Sequence, residues 1–188
     1  METLVAMCLG ISLSAASGFR IFVPPLVMSI ASLYGNLELA PGFAWVGTYP
    51  ALIAFAIATV LEIAAYYLPV VDNLIDTLEV PTSLVVGTLI SASILGDLEP
   101  LVQWSIAVIG GGGTAGIVEG FTTVTRFAST GLTGGLGNPL LSTMEVISST
   151  VLSILALLLP ALAAILVLGI LWFGLRKLLR ALHRQRTA

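Results

Sequence analysis

The hydrophobic positions of this chain fall into long blocks, and the polar positions that interrupt them are few enough to name. Residues 4–34 form an apolar run of thirty-one positions interrupted at S-G-F-R-I-F-V-P-P, longer than the roughly 20 that cross a bilayer as helix. Pro24 and Pro25 remove two backbone donors and disfavour helix at Val23, so the pattern predicts a span broken midway, with Arg20 at the break. Residues 34–49 carry Trp and Tyr in a loop suited to headgroup depth. Pro50 opens a second span, 50–68, at the helix position where its missing donor costs least. Glu62 lies inside that span, with Thr59 and Tyr66 on its face.

After Pro69 the period changes. Asp72, Asp76 and Glu79 fall on one helical face, and Val71, Leu74, Ile75 and Leu78 on the other. This predicts a short amphipathic helix bounded by Pro81, lying in the interface or covering the mouth of a bundle. Residues 82–95 form a short third span and 101–126 a fourth. The fourth leads into S-T-G-L-T-G-G-L-G-N-P, whose four Gly and one Pro in eleven residues predict irregular backbone. Residues 139–179 are helix-like for forty-one positions, about 60 Å at about 1.5 Å per residue and twice the hydrocarbon thickness. Either that helix tilts and protrudes, or Pro160 bends it sharply. Ser142, Glu145, Ser149 and Ser153 make its first part polar on one side.

Composition identifies the solvent. Hydrophobic residues make up 57% of the chain and charged residues 9%, against about 45–50% and about 25% in an ordinary soluble domain. The expected fold is therefore all-α, a polytopic transmembrane bundle of five or six spans with broken helices. The bundle occupies residues 1–175, and residues 176–188 form a basic tail. Arg176, Lys177, Arg180, Arg184 and Arg186 are five of the seven basic residues. Such a tail after an apolar helix predicts a cytoplasmic C-terminus. It also suits anionic headgroups, at roughly 1 kcal/mol per basic residue. Nothing else in the chain suggests nucleic acid. The expected location is a bacterial plasma membrane or another energy-transducing membrane, with the N-terminal run read as a first membrane helix and not a cleaved signal.

Candidate chemistry is sparse. Cys8 is the sole Cys and His183 the sole His, so no disulfide framework, metal or cofactor is expected. Ser and Thr are abundant but lack a neighbouring base, which argues against an enzyme. Gly110 to Gly113 is not followed by Gly-Lys-Ser/Thr, so it is not a phosphate loop. The Asp72, Asp76 and Glu79 face has oxygen ligands for a hard cation, yet a solvated face is the plainer reading. Arg20, Glu62, Glu119, Arg126 and Glu145 lie at membrane depth, where each unpaired charge costs about 2.5–3.5 kcal/mol. They should face inward and pair: Arg20 with Glu62 or Glu145, and Arg126 with Glu119 or a loop carbonyl. They make either a structural network or a path, with acids for a cation or proton and arginines for an anion. Asn138 joins the candidate path at the end of the Gly-rich loop.

Two ridges of small residues, Gly10/Ser14/Gly18 and Gly112/Gly116/Gly120, have members four apart and suit close helix packing. They would serve within the protomer, in a homo-oligomer, or against another membrane protein. Each ridge precedes an Arg, a loop, a Pro-started helix and a Glu. Two readings of that shared order stand, an inverted repeat and the chance recurrence of Gly and Pro in membrane helices.

The segments S-A-A-S-G-F-R-I-F-V-P (14–24), E-I-A-A-Y-Y-L-P-V-V-D-N-L-I-D-T (62–77) and T-G-G-L-G-N-P (133–139) resemble the membrane family catalogued as domain of unknown function 4126. The resemblance covers nearly all of the chain but the basic tail. It implies a small integral membrane protein of bacteria and draws attention to Arg20, Glu62, Asp72, Asn73, Asp76 and Asn138. The expectation is a transporter or channel for a small solute or ion, with its site between the broken first helix and the Gly-rich fourth. The alternative is an accessory or assembly subunit of a larger membrane complex.

Overall fold

The structure, a computed structural model, describes residues 3–66 and 69–186, with side chains for 3–66, 78–174 and 176. Its order is α1 (Thr3–Ser17), α2 (Val23–Leu33), a 3-10 turn (Pro41–Gly47), α3 (Tyr49–Ala65), α4 (Pro69–Ile94), α5 (Pro100–Ile106), a π-helical stretch (Ala107–Gly112), α6 (Gly113–Thr133), α7 (Asn138–Leu158) and α8 (Pro160–Arg186). Among the described residues the architecture is all-helical.

The centre of the molecule is α1. It is apolar or small all round, the pattern of a helix enclosed by protein, and it packs against α4, α6, α7 and α8. Its small side chains let hydroxyl groups cross between helices. Ser14 Oγ donates to the Gly87 carbonyl of α4 at 2.7 Å, and Ser149 Oγ of α7 donates to the Ala16 carbonyl at 2.8 Å. The first apolar run is broken as expected, since α1 ends at Ser17 and α2 begins at Val23 with its prolines in the first turn.

Three expectations change. Pro81 does not end a helix, because α4 runs through it from Pro69 to Ile94. The Thr82 hydroxyl donates to the Leu78 carbonyl and the Ser83 hydroxyl to that of Val80, supplying side-chain donors at the turn where proline brings none. The predicted amphipathic helix and third span are thus one element, and Glu79 is buried, not on a solvated face. The side chains of Asp72 and Asp76 lie outside the described residues. The Gly-rich loop is also shorter than expected. Helix α6 continues to Thr133, leaving a turn over 134–137 in which Gly134 and Gly135 take φ of +63° and +88°. The Gly134 N–H donates to the Thr130 carbonyl at 2.9 Å, a left-handed cap that lets glycine end the helix at little steric cost.

The third change concerns the ridges. Gly10 and Gly18 face close neighbours, Ser91 and Ala115, but Gly120 faces open space and Gly116 meets only the Leu84 side chain. Backbone also comes close at Gly111, where an added Cβ would sit 2.6 Å from the Gly87 carbonyl oxygen and 2.5 Å from the Ser91 Cβ. Gly112 meets the α4 backbone as well, at the Leu84 carbonyl, so the first member of the second ridge engages backbone and the other two do not. The π-helical stretch carries Gly111 and Gly112 into α4.

The long C-terminal run resolves into a hairpin. It breaks at Leu159, and α8 folds back along α7: Leu155 shares a groove with Leu166 and Val167, and Met144 shares one with Phe173 and Gly174. Two helices, Pro100–Thr133 (α5 through α6) and Asn138–Leu158, are long and apolar enough to cross a membrane. The 3-10 turn and α3 meet that test together as a pair bent by 68°. Shorter apolar helices and exposed Ile109, Leu158, Ile170 and Trp172 complete a surface compatible with a membrane protein.

Candidate functional site

Where α1 breaks, the backbone needs partners, and a side chain from α3 supplies them. Glu62 Oε1 accepts the Ile21 N–H at 2.7 Å and Oε2 accepts the Phe22 N–H at 3.1 Å. Its carboxylate thus caps the start of α2, where unsatisfied amides and the helix dipole favour negative charge. Thr59, Glu62 and Tyr66 are all buried on the face predicted for them.

Arg20, held at the break, points into the bundle. Its Nη2 donates to Glu145 Oε2 at 2.8 Å and to the Ser142 carbonyl at 3.3 Å. Arg126 of α6 reaches the same carboxylate from another side, through Nε to Oε1 at 3.0 Å and through Nη2 to Oε2. Glu145 therefore bridges both arginines. Of the two partners expected for Arg20, Glu145 takes it and Glu62 serves the break. The ring of Tyr66 completes the arrangement, with the guanidinium carbons of Arg20 and Arg126 at 3.8 and 4.0 Å from its centroid. A cation over an aromatic face contributes about 2 kcal/mol when desolvated.

Glu119 accepts from Thr123 Oγ1 at 2.9 Å, and Glu79 of α4 is buried as well. Arg20, Glu62, Glu79, Glu119, Arg126 and Glu145 are each between 1% and 8% exposed. They converge from the break, α3, α4, α6 and α7. Asn138 plays a different part: its side chain exchanges hydrogen bonds with Thr130 Oγ1 and braces the α6–α7 turn. The described residues hold no group of three or more His, Cys, Asp or Glu arranged to hold a metal ion.

A groove of about 480 Å³ between α6, α7 and α8 opens at Phe121, Met144 and Phe173 and ends on Glu145. Its wall is apolar, apart from the hydroxyls of Thr122, Thr125 and Ser148.

Sequence reasoning missed Glu79 as a member of the cluster, and missed Tyr66 as the platform for both arginines. A signal for the first exists. Glu79, Ser83, Gly87 and Ser91 recur every four residues, a small and polar stripe running straight through Pro81.

The family model described as Domain of unknown function (DUF4126) matches residues 7–180. The chain belongs to this family. The match takes in every member of the cluster, from Arg20 to Glu145, as well as the α7–α8 hairpin as far as residue 180. No curated protein and no solved structure matches the chain.

Proposed function

We propose that this DUF4126 protein moves a small solute or ion across a membrane, through a site at the cluster where broken α1 and α2 meet α6 and α7. The observation that carries the reading is the convergence of two arginines and four glutamates, all buried, at a helix break. Packing alone does not require them, because glycine and serine contacts already hold α1 to α4, α6 and α7. Each charge costs about 2.5–3.5 kcal/mol at the centre of a bilayer. Part of the cluster has a structural duty: Glu62 caps α2, and Glu145 neutralises the arginines. Glu79 and Glu119 are buried and have neither of those duties. Broken helices with charged groups at their ends are a recurring way to build a transport site, and the groove ending on Glu145 supplies access.

The accessory-subunit reading has less support, because Gly10, Ser14, Gly18 and Gly111 are used inside the protomer and are not free for a partner. In this reading the basic C-terminal tail faces the cytoplasm, and a homo-oligomer remains compatible with the exposed outer faces. Purified protein in liposomes should carry flux for at least one member of a broad panel of small solutes and ions, and Glu119→Gln should abolish it. Absence of flux across the panel, with a stoichiometric membrane partner co-purifying, would overturn the proposal.

A further inference from the structure

We infer that the groove between α6, α7 and α8 binds a neutral lipophilic molecule from the bilayer, which donates a hydroxyl hydrogen bond at Glu145. Naming that molecule as the solute carried rests on the transport reading of the cluster, whereas its binding does not. The volume of the groove, about 480 Å³, falls within the about 300–1,000 Å³ of ordinary small-molecule sites. Helix α8 packs on α1 and α7, and the groove separates it from α6. Phe121, Met144 and Phe173 at the mouth are 40%, 55% and 62% exposed, and in a bilayer that mouth opens sideways onto lipid. A hydrated ion entering there exchanges its water for apolar side chains, a cost that a lipophilic molecule does not bear.

The polar groups of the groove present acceptors. Thr122 Oγ1 donates to the Glu119 carbonyl and Thr125 Oγ1 to that of Phe121, both at 2.8 Å. Their single protons are thus committed to the helix, and lone pairs remain for a ligand. Glu145 accepts through Oε2 from Arg20 and Arg126, and through Oε1 from Arg126 alone. A carboxylate has about four acceptor positions, so one on Oε1 is left, and the side chain keeps 9% exposure. Ser148 follows Glu145 by three residues on the same face of α7 and lines the same groove. Such a set of partners selects a ligand that donates.

Charge decides the class of donor. Glu145 is already shared by two guanidinium ions, so an ammonium head would be repelled by Arg20 and Arg126. A carboxylate or phosphate head would meet Glu145 itself and the threonine lone pairs. A neutral hydroxyl meets neither repulsion. The shape of the ligand's body follows from where the groove leads. Phe19, Val118, Ser148 and Leu171 also line a second groove, of about 250 Å³, which reaches Leu155 and Leu166. From Glu145 to Leu155 helix α7 rises about 15 Å, at about 1.5 Å per residue. Apart from Ser148, the described lining of the second groove is apolar. The ligand class is therefore an alcohol with an elongated apolar body.

The test uses the full-length protein in nanodiscs and a long-chain alcohol carrying a diazirine, with the ammonium and carboxylate analogues of the same chain. The alcohol should crosslink at Phe121, Met144, Ile170 or Phe173, and unlabelled alcohol should compete it away. A hydrogen bond to a charged partner is worth about tenfold in affinity, so either analogue should need about tenfold more probe for the same labelling. Ser148→Phe fills the groove where its two parts meet and should remove the competed labelling, with monodisperse elution showing that the variant is folded. Equal labelling of the wild type by all three probes would mean that chains fill the groove whatever their head, and overturns the inference without recourse to any variant. Competed, alcohol-selective labelling with no flux across the solute panel supports the binding site and removes the transport reading. Flux at the wild-type rate in Ser148→Phe, with no alcohol-selective labelling of the wild type, overturns the inference and leaves transport standing.

Discussion

Glu145 holds two buried guanidinium groups with one carboxylate, so its removal should be felt more than that of any exposed acid. Replacing one member of a buried ion pair leaves an uncompensated charge, at a cost of about 3–5 kcal/mol. Glu145→Ala should therefore lower the thermal midpoint in detergent strongly, while Glu38→Ala at an exposed position should change stability by no more than about 0.5 kcal/mol. Equal midpoints for the two variants would mean that the arginines find other partners. The inward direction of Arg20, Glu62, Glu119, Arg126 and Glu145 was legible from their types alone, because an apolar solvent penalises the alternative. Their pairing was legible only as alternatives, Arg20 with Glu62 or Glu145. Arg20 and Glu145 stand 125 positions apart, and charge by itself does not choose among several acids at similar depth.

At the scale of elements, the contact of α4 with the π-helical stretch leaves little tolerance for side-chain volume. Gly111→Val would drive a side chain into the Gly87 carbonyl and the Ser91 Cβ. Because backbone cannot rotate away as a side chain can, the cost should reach about 3 kcal/mol, the upper part of the range for overpacking. Gly120→Val faces open space and should leave the midpoint near that of wild type. A reversal of that order, measured by thermal unfolding in detergent, would contradict the packing described here. Spacing by four made glycine ridges visible in the chain, and the break at Arg20 was visible from Pro24 and Pro25. Which ridge engages was hidden, because the π-helical stretch rotates the helix face. Pro81 misled for a related reason: in an apolar bundle, neighbouring hydroxyl groups support a proline that would end a helix in water.

For the whole molecule, the hairpin of α7 and α8 sets a testable sidedness. The α6–α7 turn and the far end of α8 lie toward one end of the hairpin, with Leu159 at the other. With Cys8 replaced, Leu136→Cys and Arg186→Cys should label from the same side of a sealed vesicle, and Leu159→Cys from the opposite side. Labelling of Leu136→Cys and Leu159→Cys from one side would mean that α7 does not cross. The basic tail predicts that the shared side is cytoplasmic.

The amino-acid sequence by itself determined the solvent, the helical class, the broken first run and the residues that must turn away from lipid. Composition, proline positions and charge all act locally, through desolvation and backbone donors, and those costs hold whatever the neighbours are. Only the tertiary structure decided that Glu145 bridges both arginines, that Glu62 serves backbone amides, that Tyr66 stacks against both guanidinium groups and that Glu79 is buried. Those choices depend on which helices lie side by side and in what rotation. Periodicity specifies the face of an element but not the residue opposite it.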